Sequence, residues 1–139
     1  MTAVASQLPN ETRLLRGCRL VEIRQSGEVK HHVFMPRFNG KDRNGLSVSI
    51  EDAEYKELHE KKFTSPNHGA CSLVIRDVRE VVPLDVVSKP KEEDPTHALI
   101  VGFPDRTLNA QNLADAENLA RQLAKRARLY ILSDQNRFV

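Results

Sequence analysis

The sequence predicts one α+β domain with a mostly antiparallel sheet and a C-terminal amphipathic helix. Toward the end of the chain, apolar residues recur at three- and four-residue steps, as they do on one face of a helix. They are Leu113, Ala116, Ala120, Leu123, Ala127 and Tyr130. The apolar run at residues 97–103 precedes this pattern and lies between prolines. Its length fits a buried strand rather than a membrane span.

The composition agrees with one globular domain. With 139 residues, the chain can form a core without a disulfide or a metal, and its 40% hydrophobic and 29% charged residues are usual for a globular protein. Residues 1–12 contain no secretory or lipidation signal and are expected to be flexible, so that residues 13–139 form the domain. Two cysteines, Cys18 and Cys71, are too few for a disulfide framework and favour a cytoplasmic location.

The N-terminal part of the domain is predicted to form a β-hairpin. Its strands are residues 18–24 and 29–35, and the turn at residues 25–28 contains a glycine that permits the required backbone geometry. The polar loop at residues 39–45 follows and is expected to expose side chains to a ligand.

A short strand at residues 46–49 is followed by a charged helix at residues 51–62. Ser49 and Asp52 fit a capping box at its start, and the acidic start and basic end of the helix suit its dipole. Because the helix has few apolar residues, we expect it to be peripheral.

The centre of the chain contains two further short apolar runs, at residues 70–75 and 84–87, which are interpreted as strands. The valines at residues 78–82 fit either a helical turn or a strand. The charged segment at residues 88–95 is bounded by prolines and is predicted to be a protruding loop within the domain.

Basic residues are concentrated in two places. The net charge of +2 is below that of a dedicated nucleic-acid binder, but eight basic and three acidic residues lie between residues 13 and 43. Cations from this segment and from the C-terminal helix are predicted to bind a partner. They are Arg37, Lys41, Arg43, Arg121, Lys125 and Arg128. The helix dipole and solvation alone also explain cations at the end of a helix, so both interpretations stay open. Phe34 and Phe38 could stack on nucleic-acid bases.

Histidine and cysteine positions do not predict a metal site. His68 and Cys71 have the spacing of a ligand pair, but zinc needs three or four converging ligands. His31 and His32 would point to opposite faces of a strand. No metal and no cofactor are therefore expected.

Catalytic motifs are scarce in this sequence. It contains no phosphate-binding loop, no dinucleotide fingerprint and no G-x-S-x-G elbow. His97 follows the acidic residues 92–94, whose carboxylates could orient its ring as a general base requires. A histidine at the start of a strand also serves as a structural hydrogen-bonding group, and the sequence favours a protein without enzymatic activity.

Three short segments occur in an order that is found in an enzyme family. Residues 15–17 (L-R-G) open the first strand, residues 31–32 (H-H) close the hairpin, and residues 46–49 (L-S-V-S) precede an acidic helix. This order resembles that of ADP-ribosyltransferase-like folds, including the NAD-consuming RES-type toxins. The resemblance implies an enzyme that binds and consumes NAD.

The same resemblance implies roles for five residues. Arg16 would bind the phosphates of NAD, and Ser47 or Ser49 would bind the nicotinamide ribose. Glu51 or Glu54 would contact the reacting sugar and stabilise its developing positive charge.

Residues 94–98 (D-P-T-H-A) resemble a strand of small uncharacterised bacterial proteins, which implies a bacterial source and an accessory role. The function predicted from the sequence is that of a non-catalytic accessory or regulatory binding module acting through protein–protein contacts. Two alternatives remain: a nucleic-acid-binding protein that uses the basic 13–43 segment and the C-terminal helix, and an ADP-ribosyltransferase-like enzyme. The oligomeric state stays open, because the apolar helix face can pack on its own sheet or on a second chain.

Overall fold

The computed structural model describes residues 8–19, 28–36, 45–63 and 68–130, and it confirms the α+β fold. In this part of the chain, six strands form one sheet. They are β1 (Arg13–Arg19), β2 (Leu46–Ile50), β3 (His68–Val74), β4 (Asp85–Ser88), β5 (His97–Val101) and β6 (Arg128–Tyr130). The strand order is β4-β5-β2-β1-β3-β6, and every neighbouring pair is antiparallel.

The C-terminal amphipathic helix is confirmed. The helices of the described residues are α1 (Lys56–Phe63), α2 (Ile75–Glu80) and α3 (Ala110–Arg126), with short 3-10 helices at His31–Phe34 and Ala53–Tyr55. The side chain of Asn109 caps α3 by accepting a hydrogen bond from the Asn112 N–H at 2.8 Å. Two details of the predicted apolar face are wrong. Leu119, which is not part of the predicted face, is buried, whereas Leu113 is 39% exposed. Tyr130 belongs to β6 and not to the helix.

The main core lies between α3 and one face of the sheet. Because successive residues of a strand point to opposite faces, alternate residues of β1, β2, β3 and β5 enter this core. They are Leu14, Cys18, Leu46, Val48, Cys71, Leu73, Ala98 and Ile100. The opposite face carries a smaller apolar cluster of Leu15, Ala70 and Phe63, the last contributed by α1. The same face also carries buried polar side chains on β2, β3 and β5.

The second strand of the predicted hairpin is replaced by the 3-10 helix His31–Phe34. In the described sheet, β1 pairs with β3 along its whole length at one edge, and with β2 through Leu14 and Leu15 at the other. Val33 and Phe34 are instead buried in the core that contains the apolar face of α3. Residues 20–27, which include most of the predicted turn, lie outside the described residues.

The predicted peripheral helix begins differently from the expectation. Asp52 caps the 3-10 helix Ala53–Tyr55, since its carboxylate accepts a hydrogen bond from the Glu54 N–H at 2.9 Å. Ser49 lies within β2, so the predicted capping box is wrong. Only two of the eight residues of α1 are buried, which agrees with a peripheral position.

Candidate functional site

A concave surface lies between the C-terminal part of α3, the start of β6 and residues 28–31. Its volume is about 600 Å³. Five basic side chains line it, together with Glu28 and an apolar floor. The basic residues are Lys30, His31, Arg121, Lys125 and Arg128, and the floor residues are Val29, Ala124, Ala127 and Leu129. We call this surface the basic groove.

The sequence places the cations of the basic groove on three elements. Arg121 and Lys125 are four residues apart on α3 and therefore lie on one side of it. Arg128 begins β6, and Lys30 precedes the 3-10 helix whose Val33 is buried in the core with α3. The structure thus brings together Arg121, Lys125 and Arg128 as the sequence predicted, but the prediction that Arg128 lies on the C-terminal helix is wrong, since it belongs to β6. Lys30 was not among the predicted cations, because its proximity to α3 depends on tertiary packing.

Three cations of the basic groove have no side-chain partner among the described residues. The side chains of Lys30, Arg121 and Lys125 make no hydrogen bond or ion pair there. Arg128 differs, since its Nη1 donates to the Ala127 carbonyl at 3.1 Å at the end of α3. Lys125 also lies in the last turn of α3, where its charge suits the helix dipole. The side chains of Lys30, Arg121 and Lys125 are available to a ligand.

Arg126, which follows Lys125, does not belong to this free set. Its Nη1 donates to the Gln122 carbonyl at 3.0 Å, and its Nε lies 3.9 Å from a carboxylate oxygen of Glu80. Among the described residues of α3, the cations without a side-chain partner, Arg121 and Lys125, therefore lie on one side of the helix.

The N-terminal candidates for anion binding are only partly described. Arg37, Lys41 and Arg43 lie outside the described residues. Phe34 is fully buried, so the prediction that it stacks on bases is wrong, and Phe38 lies outside the described residues.

A second group of polar residues lies on the face of the sheet opposite α3. It consists of Ser47, Ser49, Lys62, Asp94 and His97, and we call it the polar sheet face. Lys62 Nζ donates to Ser49 Oγ at 2.7 Å and to Asp94 Oδ2 at 2.6 Å. These contacts fix the end of α1 to β2 and to the segment before β5.

Asp94 is held by three groups at once. Besides the Lys62 contact, its Oδ1 accepts hydrogen bonds from the Thr96 hydroxyl at 2.6 Å and the Thr96 N–H at 3.1 Å. Burial alone would raise the pKa of Asp94. The hydrogen bonds from Lys62 and Thr96 outweigh it, and the pKa lies below its usual value.

His97 is oriented by a main-chain carbonyl. Its Nδ1 lies 2.9 Å from the Lys89 oxygen, and because a carbonyl only accepts, Nδ1 carries the hydrogen. Nε2 lies 3.4 Å from Ser47 Oγ. The expectation that an acidic side chain at residues 92–94 orients this ring is therefore wrong, since the Lys89 carbonyl performs that role.

The residues implied by the ADP-ribosyltransferase-like resemblance occupy separate places. Arg16 donates from Nε to the Val33 carbonyl at 2.9 Å and from Nη1 to the Ser47 carbonyl at 2.7 Å. Arg16 is two residues after Leu14 on β1, so its side chain lies on the same face of the sheet, toward α3. The hydroxyls of Ser47 and Ser49 lie on the opposite face, which is the polar sheet face.

The two glutamates that the resemblance implies, Glu51 and Glu54, take no part in the described side-chain hydrogen bonds of Ser47 and Ser49. Glu51 lies 3.5 Å from the Arg13 guanidinium, and Glu54 is exposed. The geometry of the described residues therefore does not unite the arginine, serine and glutamate side chains in one cleft.

Sequence reasoning missed His59, which is buried, and Lys62, whose ammonium contacts Ser49 and Asp94. His59 is 1% exposed, and its Nε2 accepts a hydrogen bond from the Asp52 N–H at 3.2 Å. Burial lowers the pKa of His59, and the nearby Lys62 lowers it further. Their three-residue spacing on a helix was the available signal, but a helix with so few apolar residues gave little reason to expect a buried face.

Comparison with protein-family models, with curated proteins and with solved structures finds no match. In the described part of the chain, no three histidine, cysteine or acidic residues are grouped as metal ligands. Among the described helices, none has the length and apolar composition needed to span a bilayer. Cys18 and Cys71 are buried free thiols.

Proposed function

We propose that the chain is an accessory or regulatory binding module, and that an acidic segment of a partner protein docks in its basic groove. The observation that carries this proposal is the convergence of Lys30, Arg121 and Lys125, none of which has a partner within the described residues, on one concave surface. A surface that leaves several cations unpaired attracts anionic ligands and increases their rate of association.

The composition of the basic groove favours a protein segment over a nucleic acid. Its floor is apolar and consists of Val29, Ala124, Ala127 and Leu129. Its lining residues include the imidazole ring of His31 but no phenylalanine, tyrosine or tryptophan, the larger rings on which bases commonly stack. An acidic segment that also carries apolar side chains matches both the cations and the floor.

The location proposed for this module is the cytoplasm. Cys18 and Cys71 are both reduced and buried, which fits a reducing compartment.

The test uses a charge-reversal variant in which Lys30, Arg121 and Lys125 are all replaced by glutamate. Tagged wild-type protein and this variant are used to capture proteins from a nuclease-treated host lysate. The matched control reverses three exposed lysines elsewhere, Lys56, Lys61 and Lys91. The proposal expects one stoichiometric protein that the wild type and the control capture and that the groove variant loses.

The nucleic-acid alternative predicts a different result. Recovery would depend on nucleic acid and disappear after nuclease treatment. Purified protein would bind labelled single-stranded DNA with a steep salt dependence, of about 0.7 logarithmic units per logarithmic unit of salt for each phosphate contact. Equal capture of the same proteins by the wild type and the groove variant would contradict both uses of the groove.

A further inference from the structure

We propose that Ser47 is a reactive hydroxyl that accepts an acyl group from a carboxylic ester, with His97 as the general base. This inference concerns the polar sheet face and does not depend on what binds in the basic groove. It assigns a chemical activity to a chain whose sequence favoured binding alone.

The first argument is the relay of contacts from Ser47 through His97 to Lys89. The Lys89 carbonyl holds the hydrogen on Nδ1 of His97, so that in the neutral ring Nε2 is the nitrogen that accepts a proton. Ser47 Oγ lies 3.4 Å from that nitrogen. A nucleophile within reach of a base, with the base oriented by a third group, is the arrangement that activates a serine hydroxyl. Such contacts are often long before a substrate binds.

The second argument is rigidity. The main chain of Ser47 is held from both sides. Ser47 pairs with Leu99 of β5, and the Ser47 carbonyl accepts a hydrogen bond from the Arg16 guanidinium. The His97 N–H donates to the Asp94 carbonyl at 3.2 Å, and its carbonyl accepts from the Lys89 N–H at 2.9 Å. Reacting groups on strands held from both sides keep their relative positions better than groups on loops.

The third argument separates Ser47 from its neighbour Ser49. Ser49 is 1% exposed, and its oxygen accepts a hydrogen bond from Lys62. Ser47 is only half-buried. Of the two hydroxyl groups, that of Ser47 is therefore the more accessible to a substrate.

The proposed reaction balances without a cofactor. Ser47 Oγ bonds to the ester carbonyl carbon, and its proton moves to His97 Nε2. The bond to the alcohol oxygen then breaks, and His97 returns the proton to the departing alcohol. Water attacks the acyl-serine with His97 again as base, which releases a carboxylic acid and restores the Ser47 hydroxyl.

The test is labelling with a fluorophosphonate, whose phosphorus forms a stable bond to a reactive serine while fluoride leaves. The folded wild type is expected to gain one adduct, located on Ser47 by peptide mass spectrometry. Ser49→Ala serves as the matched control and should react at a similar rate. Ser47→Ala should gain no adduct, and His97→Gln should react about 100-fold more slowly.

Circular dichroism and thermal unfolding verify that each variant is folded. A second measurement is the rate of hydrolysis of p-nitrophenyl acetate. The folded wild type should hydrolyse this ester faster than urea-unfolded protein does, and Ser47→Ala should abolish the difference. Labelling of the folded wild type no faster than that of unfolded protein would overturn the proposal. An adduct on another residue, or an unchanged rate in a folded His97→Gln variant, would also overturn it.

Discussion

Replacing Asp94 by asparagine tests the contacts that hold α1 on the polar sheet face. The change keeps the size of the side chain and the Oδ1 that accepts from Thr96, but it places an amide where Oδ2 accepts from Lys62. Two donors would then face each other over a distance that is now 2.6 Å. The ammonium of Lys62 would lose its carboxylate partner, and we expect the domain to become less stable.

The exposure of the two partners sets the magnitude. The side chains of Lys62 and Asp94 are 34% and 11% exposed, so their ion pair is neither fully buried nor a surface pair. Breaking a fully buried pair costs about 3–5 kcal/mol, and surface pairs contribute about 0–1 kcal/mol. The expected loss in the free energy of unfolding is therefore about 2 kcal/mol.

The assay is urea unfolding followed by circular dichroism at pH 7, with Glu93→Gln as the control because Glu93 is an exposed carboxylate in the same segment. The pKa of Asp94 is lower in the folded chain than its usual 3.8, so its contribution is present above that pH and is lost as the pH falls through the folded value. The difference between wild type and Asp94→Asn should therefore shrink below about pH 4. A variant within about 0.5 kcal/mol of the wild type at pH 7, which is the range of ordinary surface substitutions, would refute this reasoning.

Two further predictions concern the core and the start of β2. Leu123→Ala removes a side chain of α3 that is fully buried, and should lower the free energy of unfolding by about 2–5 kcal/mol in the same urea assay; a loss below about 1 kcal/mol would mean that α3 does not pack as described. Gly45→Ala should also destabilise the domain, by at least about 1 kcal/mol, because Gly45 has φ of 146° and an added Cβ would lie 2.7 Å from the Ile100 carbonyl oxygen. An alanine variant as stable as the wild type would contradict this backbone conformation.

The elements that the sequence predicted well are those specified by local patterns. The spacing of Ala116, Ala120 and Leu123 is sufficient to define α3, and the apolar run around Ile100 is sufficient to define β5. Likewise, the helical spacing of Arg121 and Lys125 predicts that they lie on one side of α3.

The predictions that failed depended on contacts between distant segments. Residues 31–34 were interpreted as a strand because nothing local indicates that β1 already has two neighbours. Val29, Val33 and Phe34 are spaced as on a helical turn, a signal that the hairpin interpretation did not use. The partners Lys62 and Asp94 are 32 residues apart, so sequence periodicity could not pair them.

The measurement that tests the proposed function most directly is the affinity of purified protein for a labelled peptide rich in glutamate and leucine, followed by fluorescence anisotropy over a range of salt concentrations. Reversing Lys30, Arg121 and Lys125 should weaken binding by about tenfold or more at low salt, because each exposed charge contact contributes about 0.2–1 kcal/mol and reversal replaces attraction by repulsion. The control with reversed Lys56, Lys61 and Lys91 should bind like the wild type. Equal affinities for the groove variant and this control would contradict the account.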